Sequence, residues 1–490
     1  MERRTGSIAS ESQMNAHSAA TISELTRIVA PDAVLWQPND LMLYEYDGSV
    51  DKALPQAVVF PSNTQEVVQL VRWASANHFV IVPRGAGTGL SGGAVPVEGG
   101  LVIAFSRMKK IVEIDVENQR AVVQPGVVNL DLSLAVASHG YYYVPDPSSQ
   151  KACTIGGNVA ENSGGPHTLA YGVTTNHVLG LEVVLPDGEV IHTGGKAPDS
   201  PGYDLTGLIV GSEGTMGIVT QVIVRLTRLP EAVRTLMAIF NTVDDAAETV
   251  AEITERAITP AALEMMDQLT LQAIEDATHA GYPRDAAAVL LIELEGLAEA
   301  VEEQARQIDD VCRKHSAREA RLAQSERERQ LLWAGRKNAF GAMGRVAKSF
   351  YVQDGVIPRT RIPETLRFIR QVSEKYGLRI ANVFHAGDGN LHPLILFDAR
   401  ERDQYKHVVE AGAEILAFCI SLGGSITGEH GVGMEKNELM PLLFSEDDLT
   451  VMGKLKAVFN PEGRLNPSKV FPSAKGCGEI RIRQQFGARA

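Results

Sequence analysis

The chain has 490 residues, enough for two or three domains, and 44% are hydrophobic and 22% charged, as in a globular protein with a full core. The net charge of −14 argues against binding to nucleic acid or to an anionic membrane. The four cysteines lie far apart without a CxxC pair, which excludes a disulfide scaffold or a four-thiolate cluster held by this chain and suits a reducing cytosol: Cys153, Cys312, Cys419 and Cys477.

The N-terminal residues 1–20 are rich in serine and alanine and lack the apolar run of a signal peptide or a transmembrane helix. We predict disordered tails over 1–20 and 476–490. The longest apolar stretches, 286–292 and 391–397, are too short to cross a bilayer. The sequence therefore predicts a cytoplasmic protein without a direct membrane span, held peripherally at the inner membrane only through a partner.

Residues 21–229 read as one α+β block in which short β-rich runs alternate with turns. Asn63 is placed to cap the first helix. The predicted helices cover 63–77 and 130–138, and the predicted strands cover 57–60, 80–82, 101–105, 111–116, 121–124, 178–185, 189–192 and 218–226.

Beyond Pro230 the pattern changes to an alternation of strands and longer helices up to about residue 440. We interpret this part as an antiparallel sheet with helices on one face, followed by C-terminal helices over 441–475. The predicted strands are 236–240, 289–294, 350–357 and two around 385–392, and the predicted helices are 244–257, 298–315, 325–345, 363–376 and 402–422.

Glycine is in excess and clustered, with 7 of the 45 glycines in residues 83–100 and 14 in residues 153–217. The first cluster, PRGAGTGLSGG over 83–93, directly follows a predicted strand, and its alternating glycines leave N–H groups free to form a concave nest for pyrophosphate. It is neither GxGxxG nor GxxxxGK[ST], and such a loop alone is more often a turn. Two further glycine loops, 155–165 and 211–217, favour one extended ligand longer than a mononucleotide.

These loops, together with PDPS at 145–148, CTIGGNVA at 153–160 and YGV at 171–173, resemble the FAD-binding domain of the vanillyl-alcohol oxidase superfamily. The similarity is greatest to its FAD-linked 2-hydroxy-acid dehydrogenases of the glycolate oxidase and D-lactate dehydrogenase type, and it extends over roughly residues 25–472. The resemblance implies an α+β fold with a PCMH-type FAD-binding domain over 21–229. An α+β cap domain for the substrate would follow over 230–440, with an antiparallel sheet, and the C-terminal helices would return to the FAD domain.

By the same resemblance, the first loop holds the FAD pyrophosphate and the later loops line the adenine, ribose and flavin. Several relatives bind flavin covalently through a histidine in the first loop, where this chain has Thr88, so noncovalent FAD is expected. The implied FAD-binding residues are Pro83, Arg84, Gly85, Ala86, Gly87, Thr88, Gly89, Leu90, Ser91, Pro147, Thr154, Gly157, Ala160, Asn162, Gly164, Gly172, Val173, Glu213, Gly217, Ile218 and Val219.

A pair of histidines encloses a run of turn-forming residues in HAGDGNLH over 385–392, so a hairpin loop could bring His385 and His392 together. With a carboxylate such as Glu429, they would form a typical site for zinc or another divalent ion, although a histidine pair at this spacing is more often structural. The family resemblance implies that His385, His392 and Glu429 bind a divalent metal, zinc or manganese.

His430, between Glu429 and a glycine, is either a loop histidine hydrogen-bonded to backbone or a general base. Alcohol oxidation needs a base with a near-neutral pKa, which favours the second interpretation. The planar guanidinium of Arg336 matches a substrate carboxylate, and the resemblance points to the same residue. Lys337 is expected to be solvated, and Asp388 to stabilise its turn.

The leading hypothesis is an FAD-dependent dehydrogenase that oxidises a small 2-hydroxy acid to the 2-oxo acid. Phe340 and Leu394 replace polar positions of diacid-specific relatives, which favours glycolate or D-lactate over a D-2-hydroxyglutarate-type substrate. A metal-dependent hydrolase, with glycine loops that bind only phosphate, and a non-catalytic flavin subunit are the alternatives. Electrons would leave through a partner, a quinone, a cytochrome or oxygen, and the resemblance implies the FAD-like and iron–sulfur subunits of a glycolate oxidase complex.

Overall fold

A computed structural model describes residues 11–197 and 201–472. The predicted tail over 1–20 is wrong for its second half, because the first helix already begins at Glu11. Residues 1–10 and the predicted tail over 476–490 lie outside the described residues. The helices of the N-terminal domain are α1 (Glu11–Ile28), α2 (Pro38–Leu41), α3 (Thr64–Ala76), α4 (Asn129–Ala137), α5 (Ile155–Glu161), α6 (Thr168–Tyr171) and α7 (Leu205–Ile209).

The strands of this domain form two larger sheets, with orders β1-β2-β4-β3 and β5-β6-β10-β8-β9, and the short pair β7 and β11. β2, β3 and β4 are parallel, whereas the second sheet is antiparallel. The strands are β1 (Val34–Leu35), β2 (Ala57–Val59), β3 (Ile81–Arg84), β4 (Leu101–Ala104), β5 (Ile111–Asp115), β6 (Arg120–Val123), β7 (Tyr141–Tyr142), β8 (Val178–Val184), β9 (Val190–Gly194), β10 (Ile218–Arg225) and β11 (Thr227–Arg228).

α3 illustrates why this sequence folds as predicted. The side chain of Asn63 accepts a hydrogen bond from the Glu66 N–H and so caps the helix. The apolar residues at helical spacing, among them Val67, Leu70 and Val71, are fully buried in the core beneath the first sheet. Their burial fixes α3 against β2 and β4 and holds the end of β3, where the first glycine loop begins.

The second domain is built on one antiparallel sheet with order β15-β12-β14-β13-β18-β19-β16, in which β17 also pairs with β19. Its strands are β12 (Ala232–Phe240), β13 (Ala262–Asp267), β14 (Ala288–Gly296), β15 (Glu319–Leu322), β16 (Ser349–Val352), β17 (Gly355–Val356), β18 (Arg379–His385) and β19 (Asn390–Phe397). The remaining helices are α8 (Val243–Glu255), α9 (Gln268–Thr278), α10 (Ala298–Lys314), α11 (Glu326–Lys337), α12 (Ala339–Met343), α13 (Ile362–Tyr376), α14 (Arg402–Ser421), α15 (Met440–Leu443) and α16 (Glu446–Phe459).

Helices cover both faces of this sheet, so the prediction of helices on one face is wrong. In β14, Leu290 and Ile292 belong to the core shared with α8, α10, α13 and α14, whereas Val289 and Leu291 belong to the core shared with α9, α11 and α12. A strand buried on both faces has a continuous run of apolar residues instead of alternating apolar and polar residues. Its sequence therefore does not show that helices cover both faces of the sheet. The face that carries α11 and α12 is the face of the functional site.

Three segments of the second domain differ from their predictions. β13 and α9 lie in a stretch without predicted elements. The predicted helix 325–345 is two helices, because α11 ends at Lys337 and α12 begins at Ala339, with Asn338 as the cap between them. The predicted strand 350–357 is interrupted at Gln353 and Asp354, between β16 and β17.

The end of the described chain returns to the N-terminal domain, as predicted. α16 packs against α14 and α15, and the described chain beyond Phe459 is non-helical. Asn466 donates its side-chain amide to the backbone carbonyls of Gly93 and Glu213, and Lys469 donates to that of Val95. The C-terminal segment therefore braces the first glycine loop. Over the described ranges, we find no helix with the length and apolar character required to cross a bilayer.

Candidate functional site

A large cavity lies between the two domains, at the end of β3. Its N-terminal side is formed by the glycine loops over 83–90 and 154–164 and by residues 212–219. Its other side is formed by charged and aromatic side chains of the second domain, namely Arg336, Lys337, Phe340, His385, His392, Glu429 and His430. The fold thus brings together the two groups of motifs that lie about 200 residues apart in the sequence.

Most of the predicted FAD-binding residues line this cavity, and four do not. Ser91 is buried beside it and donates its hydroxyl to the carbonyl of His430. Asn162 ends α5 in the left-handed conformation and accepts a hydrogen bond from the Thr175 N–H. Gly172 and Val173 lie at the end of α6 outside the lining. The lining residues are Pro83, Arg84, Gly85, Ala86, Gly87, Thr88, Gly89, Leu90, Pro147, Thr154, Gly157, Ala160, Gly164, Glu213, Gly217, Ile218 and Val219.

Close packing explains the glycine at position 85. A Cβ on Gly85 would lie 2.4 Å from Oγ1 of Thr154. That hydroxyl accepts a hydrogen bond from the Gly157 N–H and caps α5. Gly87 has a φ of +70°, which favours glycine. The first glycine loop and the start of α5 are therefore packed directly on each other.

Arg84 supplies a positive charge at this loop. Its side chain is largely buried, lies over the ring of Tyr44, and lines the cavity. Its Nη1 is buried without a hydrogen-bond partner among the described residues. A buried, unpaired guanidinium nitrogen is costly unless an anion satisfies it. The glycine loop and Arg84 together therefore offer a site for an anionic group such as a pyrophosphate.

The β18–β19 hairpin brings the predicted histidine pair together. His385 ends β18 and pairs across the hairpin with Asn390, while His392 lies in β19 opposite Val383. Asp388 accepts a hydrogen bond from the Asn390 N–H, so it stabilises the turn as predicted. The centroids of the two imidazole rings lie 5.0 Å apart, and the side chain of Glu429, from the loop after α14, contacts both rings.

These three residues fit a divalent cation. Oε1 of Glu429 lies 3.0 Å from Nε2 of His385 and 3.4 Å from Nε2 of His392. Ligand bonds of about 2.1 Å in a tetrahedral zinc site would separate neighbouring ligand atoms by about 3.4 Å. Nε2 of His392 is buried and makes no hydrogen bond within the described structure. The donor set and its spacing are therefore compatible with a tetrahedral divalent cation.

Charge compensation keeps Glu429 ionised. Burial opposes its ionisation, but His385, with His392 and His430, lowers the pKa of Glu429 to about 2. Burial likewise disfavours the charged form of His385, yet Glu264 and Glu429 raise its pKa well above the ordinary value. The space between Glu264 and Glu429 thus favours a positive charge, which a divalent cation would also supply.

Asp354, between β16 and β17, shapes the loop that carries Glu429 and His430. Its carboxylate accepts hydrogen bonds from the N–H groups of Gly428, Glu429 and His430, at 3.0 to 3.3 Å, and from the Thr427 hydroxyl at 2.6 Å. The buried ammonium of Lys436 lies 3.2 Å away. The carboxylate thus occupies a nest of consecutive N–H groups and fixes the direction of both functional side chains.

His430 presents its imidazole to the cavity. The ring stacks on that of His392 with centroids 4.7 Å apart, and its Nε2 lies 3.8 Å from Oε1 of Glu429. Burial lowers the pKa of His430 to about 4, although Asp354 opposes the shift. The imidazole is therefore neutral at neutral pH, and its pKa lies below the near-neutral value that the sequence-based prediction of a base requires.

Arg336 lies at the end of α11 and is almost fully buried at the cavity. Its Nε donates to Oε2 of Glu264 at 2.7 Å, and its Nη2 lies 2.5 Å from the same oxygen. One edge of the guanidinium is thus held by the protein, which leaves the edge formed by Nη1 and Nη2 for a ligand carboxylate.

Lys337 is not solvated as predicted. Its ammonium lies 2.9 Å from Oδ2 of Asp146 in the N-terminal domain. Oδ2 of Asp146 also lies 3.0 Å from Nδ1 of His167, whose Nε2 lies 3.3 Å from Glu293 of the second domain. α11 is therefore held to the N-terminal domain by a charged interdomain cluster, which we define as Asp146, His167, Glu293 and Lys337.

Sequence reasoning missed Glu264 and Asp354, which contact the predicted residues. Both carboxylates are fully buried. A signal was present at Glu264, which lies among the apolar residues of the strand Ala262–Asp267, where burying a charge costs free energy unless it is paired. Asp354 follows the strand Ser349–Val352, where a buried acid at a strand end is equally unusual.

Comparisons with known proteins agree with this architecture. The model of the FAD binding domain matches residues 55–194, and that of the C-terminal domain of FAD linked oxidases matches residues 229–470. A glycolate oxidase subunit GlcD of Escherichia coli is 48% identical over 91% of this chain and 90% of its own length. A D-lactate dehydrogenase of Archaeoglobus fulgidus is 34% identical over 92% of this chain and 98% of its own.

Among solved structures, a p-cresol methylhydroxylase superposes with a TM-score of 0.79 over 96% of this chain and 98% of its own, at 18% identity, and so shows the shared fold. The two domain matches confirm the sequence-based prediction of an FAD-linked oxidoreductase and favour it over a hydrolase. The chain belongs to the FAD-linked oxidase family, with an FAD-binding domain followed by that family's C-terminal domain.

Proposed function

We propose that the protein oxidises glycolate or D-lactate to the corresponding 2-oxo acid. One observation carries the proposal. A carboxylate-binding group (Arg336), a candidate base (His430) and a candidate cation site (His385, His392 and Glu429) line the same side of the cavity of an FAD-linked oxidase. The names of the relatives, a glycolate oxidase subunit and a D-lactate dehydrogenase, support this substrate class.

Each group has a distinct role in this proposal. The free edge of Arg336 binds the substrate carboxylate and orients the 2-hydroxyl towards His430. Nε2 of His430 accepts the hydroxyl proton, because the imidazole is neutral and lies beside Glu429. A divalent cation on the three ligands would lower the pKa of that hydroxyl, and bound FAD supplies the acceptor for the hydride from C2.

The cavity wall favours a short substrate. Phe340 lines the cavity and packs its ring edge-on against His392, with centroids 5.8 Å apart. An apolar ring beside the candidate ligands offers no partner for a second carboxylate. Leu394 does not add to this argument, because it is fully buried in the core and does not line the cavity.

We further propose that FAD is bound noncovalently, since Thr88 stands where covalently flavinylated relatives carry histidine. Acid precipitation should release the yellow colour into the supernatant. Colour that stays with the denatured protein would contradict noncovalent binding.

The proposal assigns the next electron transfer to partner subunits. Cys153, Cys312 and Cys419 are separately buried, so none of these three forms part of a cluster site. We propose FAD-like and iron–sulfur partners, and a cytoplasmic complex that meets the inner membrane through them. Affinity purification of the chain from its native cells should recover subunits with iron and acid-labile sulfide, and recovery of the chain alone would count against them.

Anaerobic flavin bleaching tests the substrate assignment. The purified protein is mixed without oxygen with glycolate, D-lactate, L-lactate or D-2-hydroxyglutarate, and the visible flavin absorption is followed. We expect rapid bleaching by glycolate or D-lactate. Bleaching by D-2-hydroxyglutarate alone would overturn the short-substrate assignment, and a colourless protein that cannot be loaded with FAD would overturn the proposal as a whole.

A further inference from the structure

A buried carboxylate, Glu264, connects two parts of the site that are otherwise separate. It lies among the apolar residues of β13, and its side chain is fully buried. Leu263 and Met265 point to one core of the second domain, and Ala262 and Met266 point to the other. By alternation along the strand, Glu264 points to the face that carries α11 and the cavity.

The sheet register places Glu264 beside one candidate cation ligand. β13 and β18 are antiparallel neighbours, and Glu264 lies directly opposite His385. Oε1 of Glu264 lies 2.8 Å from Nδ1 of His385. The other imidazole nitrogen, Nε2, is the one that faces Glu429. A hydrogen bond from Nδ1–H to Glu264 therefore leaves the Nε2 lone pair for a cation.

The second oxygen of Glu264 holds the candidate carboxylate-binding group. Oε2 accepts a hydrogen bond from Nε of Arg336 at 2.7 Å and lies 2.5 Å from its Nη2. Both groups are almost fully buried, so the guanidinium has little freedom to turn. This contact sets which edge of Arg336 faces the cavity.

We propose that Glu264 is a positioning residue that couples cation binding to substrate binding, one oxygen fixing the tautomer of His385 and the other fixing the edge of Arg336. This inference rests on the function proposed above and adds a residue to its site. A carboxylate is required, because both neighbours are donors. A glutamine would offer one acceptor oxygen and would turn its NH₂ group towards the other donor.

The coupling predicts that one substitution at Glu264 changes both cation binding and carboxylate binding. Removal of the negative charge should weaken retention of the cation, although Glu264 does not face it. The same change should weaken binding of a simple carboxylate, although Glu264 does not touch the substrate side of Arg336. A purely structural ion pair would lower stability without changing both of these properties together.

The test compares Glu264→Gln with wild type by two readouts that need no turnover. Bound zinc or manganese per chain is measured after dialysis against a series of free-metal concentrations. Binding of acetate, a carboxylate without a 2-hydroxyl, is followed through the change it causes in the visible flavin spectrum and reports on Arg336. We expect Glu264→Gln to weaken metal binding at least tenfold and to raise the acetate dissociation constant at least tenfold, while FAD content stays at the wild-type level.

Asp267→Asn is the matched control, because it removes a carboxylate from the same strand. Asp267 caps α9 through the Thr270 N–H and holds Asn382, and it does not line the cavity. We expect both readouts to stay within about twofold of wild type, and a similar loss in the control would contradict a specific role for Glu264.

Glu264→Asp covers the case in which the glutamine variant does not fold. It keeps the charge but is one methylene shorter, so it cannot reach both partners, and at least one readout should weaken about fivefold. The inference is overturned if either foldable variant shows wild-type metal binding and wild-type acetate binding, or if Glu264→Gln changes only one of the two. If wild type binds no metal and is not bleached by a hydroxy acid, the proposed function fails instead.

Discussion

The two sides of the cavity are built on opposite principles. The N-terminal side is mainly glycine backbone and small side chains, and a methyl group at Gly85 would collide with Thr154. The second-domain side is a chain of buried ionisable groups in which basic side chains alternate with carboxylates and each group contacts the next. That chain runs through Arg336, Glu264, His385, Glu429, His392, Asp354 and Lys436.

The difference shows which changes each side can tolerate. A backbone cradle binds an extended anionic ligand through N–H groups that no substitution removes, so it is sensitive to added volume. A chain of buried charges is sensitive to the loss of one charge, because the neighbour is left buried and unpaired. Changes on the first side should therefore affect flavin binding, and changes on the second should affect chemistry in a protein that keeps its flavin.

The largest effect is expected at His430. His430→Asn removes the proton acceptor but keeps the backbone N–H that donates to Asp354. Flavin reduction by glycolate or D-lactate should fall by about 10² to 10⁴, as for loss of a general base. Anaerobic stopped-flow absorbance measures the rate, and the flavin content should equal that of wild type. Reduction at the wild-type rate would remove His430 as the base.

Asp354 should show the second largest effect. Asp354→Asn leaves the buried ammonium of Lys436 without its carboxylate and loosens the nest that holds Glu429 and His430. Breaking a buried ion pair on one side costs about 3 to 5 kcal/mol, so we expect lower stability in urea unfolding together with at least tenfold slower flavin reduction.

Asp398→Asn is the control for that experiment. Asp398 follows β19 and pairs with Lys348 and Arg400 at the surface. Exposed ion pairs contribute about 0 to 1 kcal/mol, so stability and flavin reduction should change little. An Asp354 variant that behaves like this control would show that the loop keeps its shape without the carboxylate.

The motifs with short-range signals could be predicted from the sequence. The turn residues between His385 and His392 identify a hairpin because both histidines lie on one continuous piece of chain. The glycine loops are equally local, and their order along the chain carries the family resemblance. Asn63 shows the same principle for a helix start, since a cap depends on a residue only three positions away.

Residues whose partners are distant in sequence could not be predicted in this way. Glu264 contacts His385, 121 residues away, through a sheet register that no local pattern sets. Lys337 was expected in solvent because its partner, Asp146, is 191 residues away in the other domain. The second helical layer was missed for a related reason, since a strand buried on both faces has no polar side to show which face is covered.

Flavin binding should respond to volume on the N-terminal side. Gly85→Ala places a methyl group against Oγ1 of Thr154 and should displace the cap of α5. We expect FAD affinity to fall about tenfold, equivalent to about 1.4 kcal/mol. Titration of the apoprotein with FAD, followed by flavin fluorescence, gives the affinity.

Gly195→Ala is the volume control in the same domain. Among the described residues, an added Cβ at Gly195 meets no atom within 4 Å, its φ is not positive, and the residue does not line the cavity. Its FAD affinity should match wild type. Equal losses in the two variants, or none in Gly85→Ala, would show that the close contact with Thr154 does not shape the cradle.

The smallest expected effect is on stability and concerns the interdomain cluster, whose members are held together by charge. Burial disfavours the charged form of His167, but Asp146 and Glu293 raise its pKa well above the ordinary value. A raised pKa stabilises the fold fully below the unfolded pKa of about 6.5, and this contribution is lost as the pH rises through the folded-state pKa. His167→Gln should therefore destabilise the protein by about 1 to 3 kcal/mol at pH 6, and the difference from wild type should shrink at alkaline pH.

Urea unfolding of wild type and His167→Gln across this pH range measures the difference directly. His192→Gln is the control, because the His192 side chain is 71% exposed and lies 3.4 Å from Glu182. It should show almost no difference at any pH. A His167 difference that is constant with pH would mean that packing rather than charge joins α11 to the N-terminal domain. Charge would then determine the properties of the second-domain side of the cavity, but it would not stabilise the contact between the two domains.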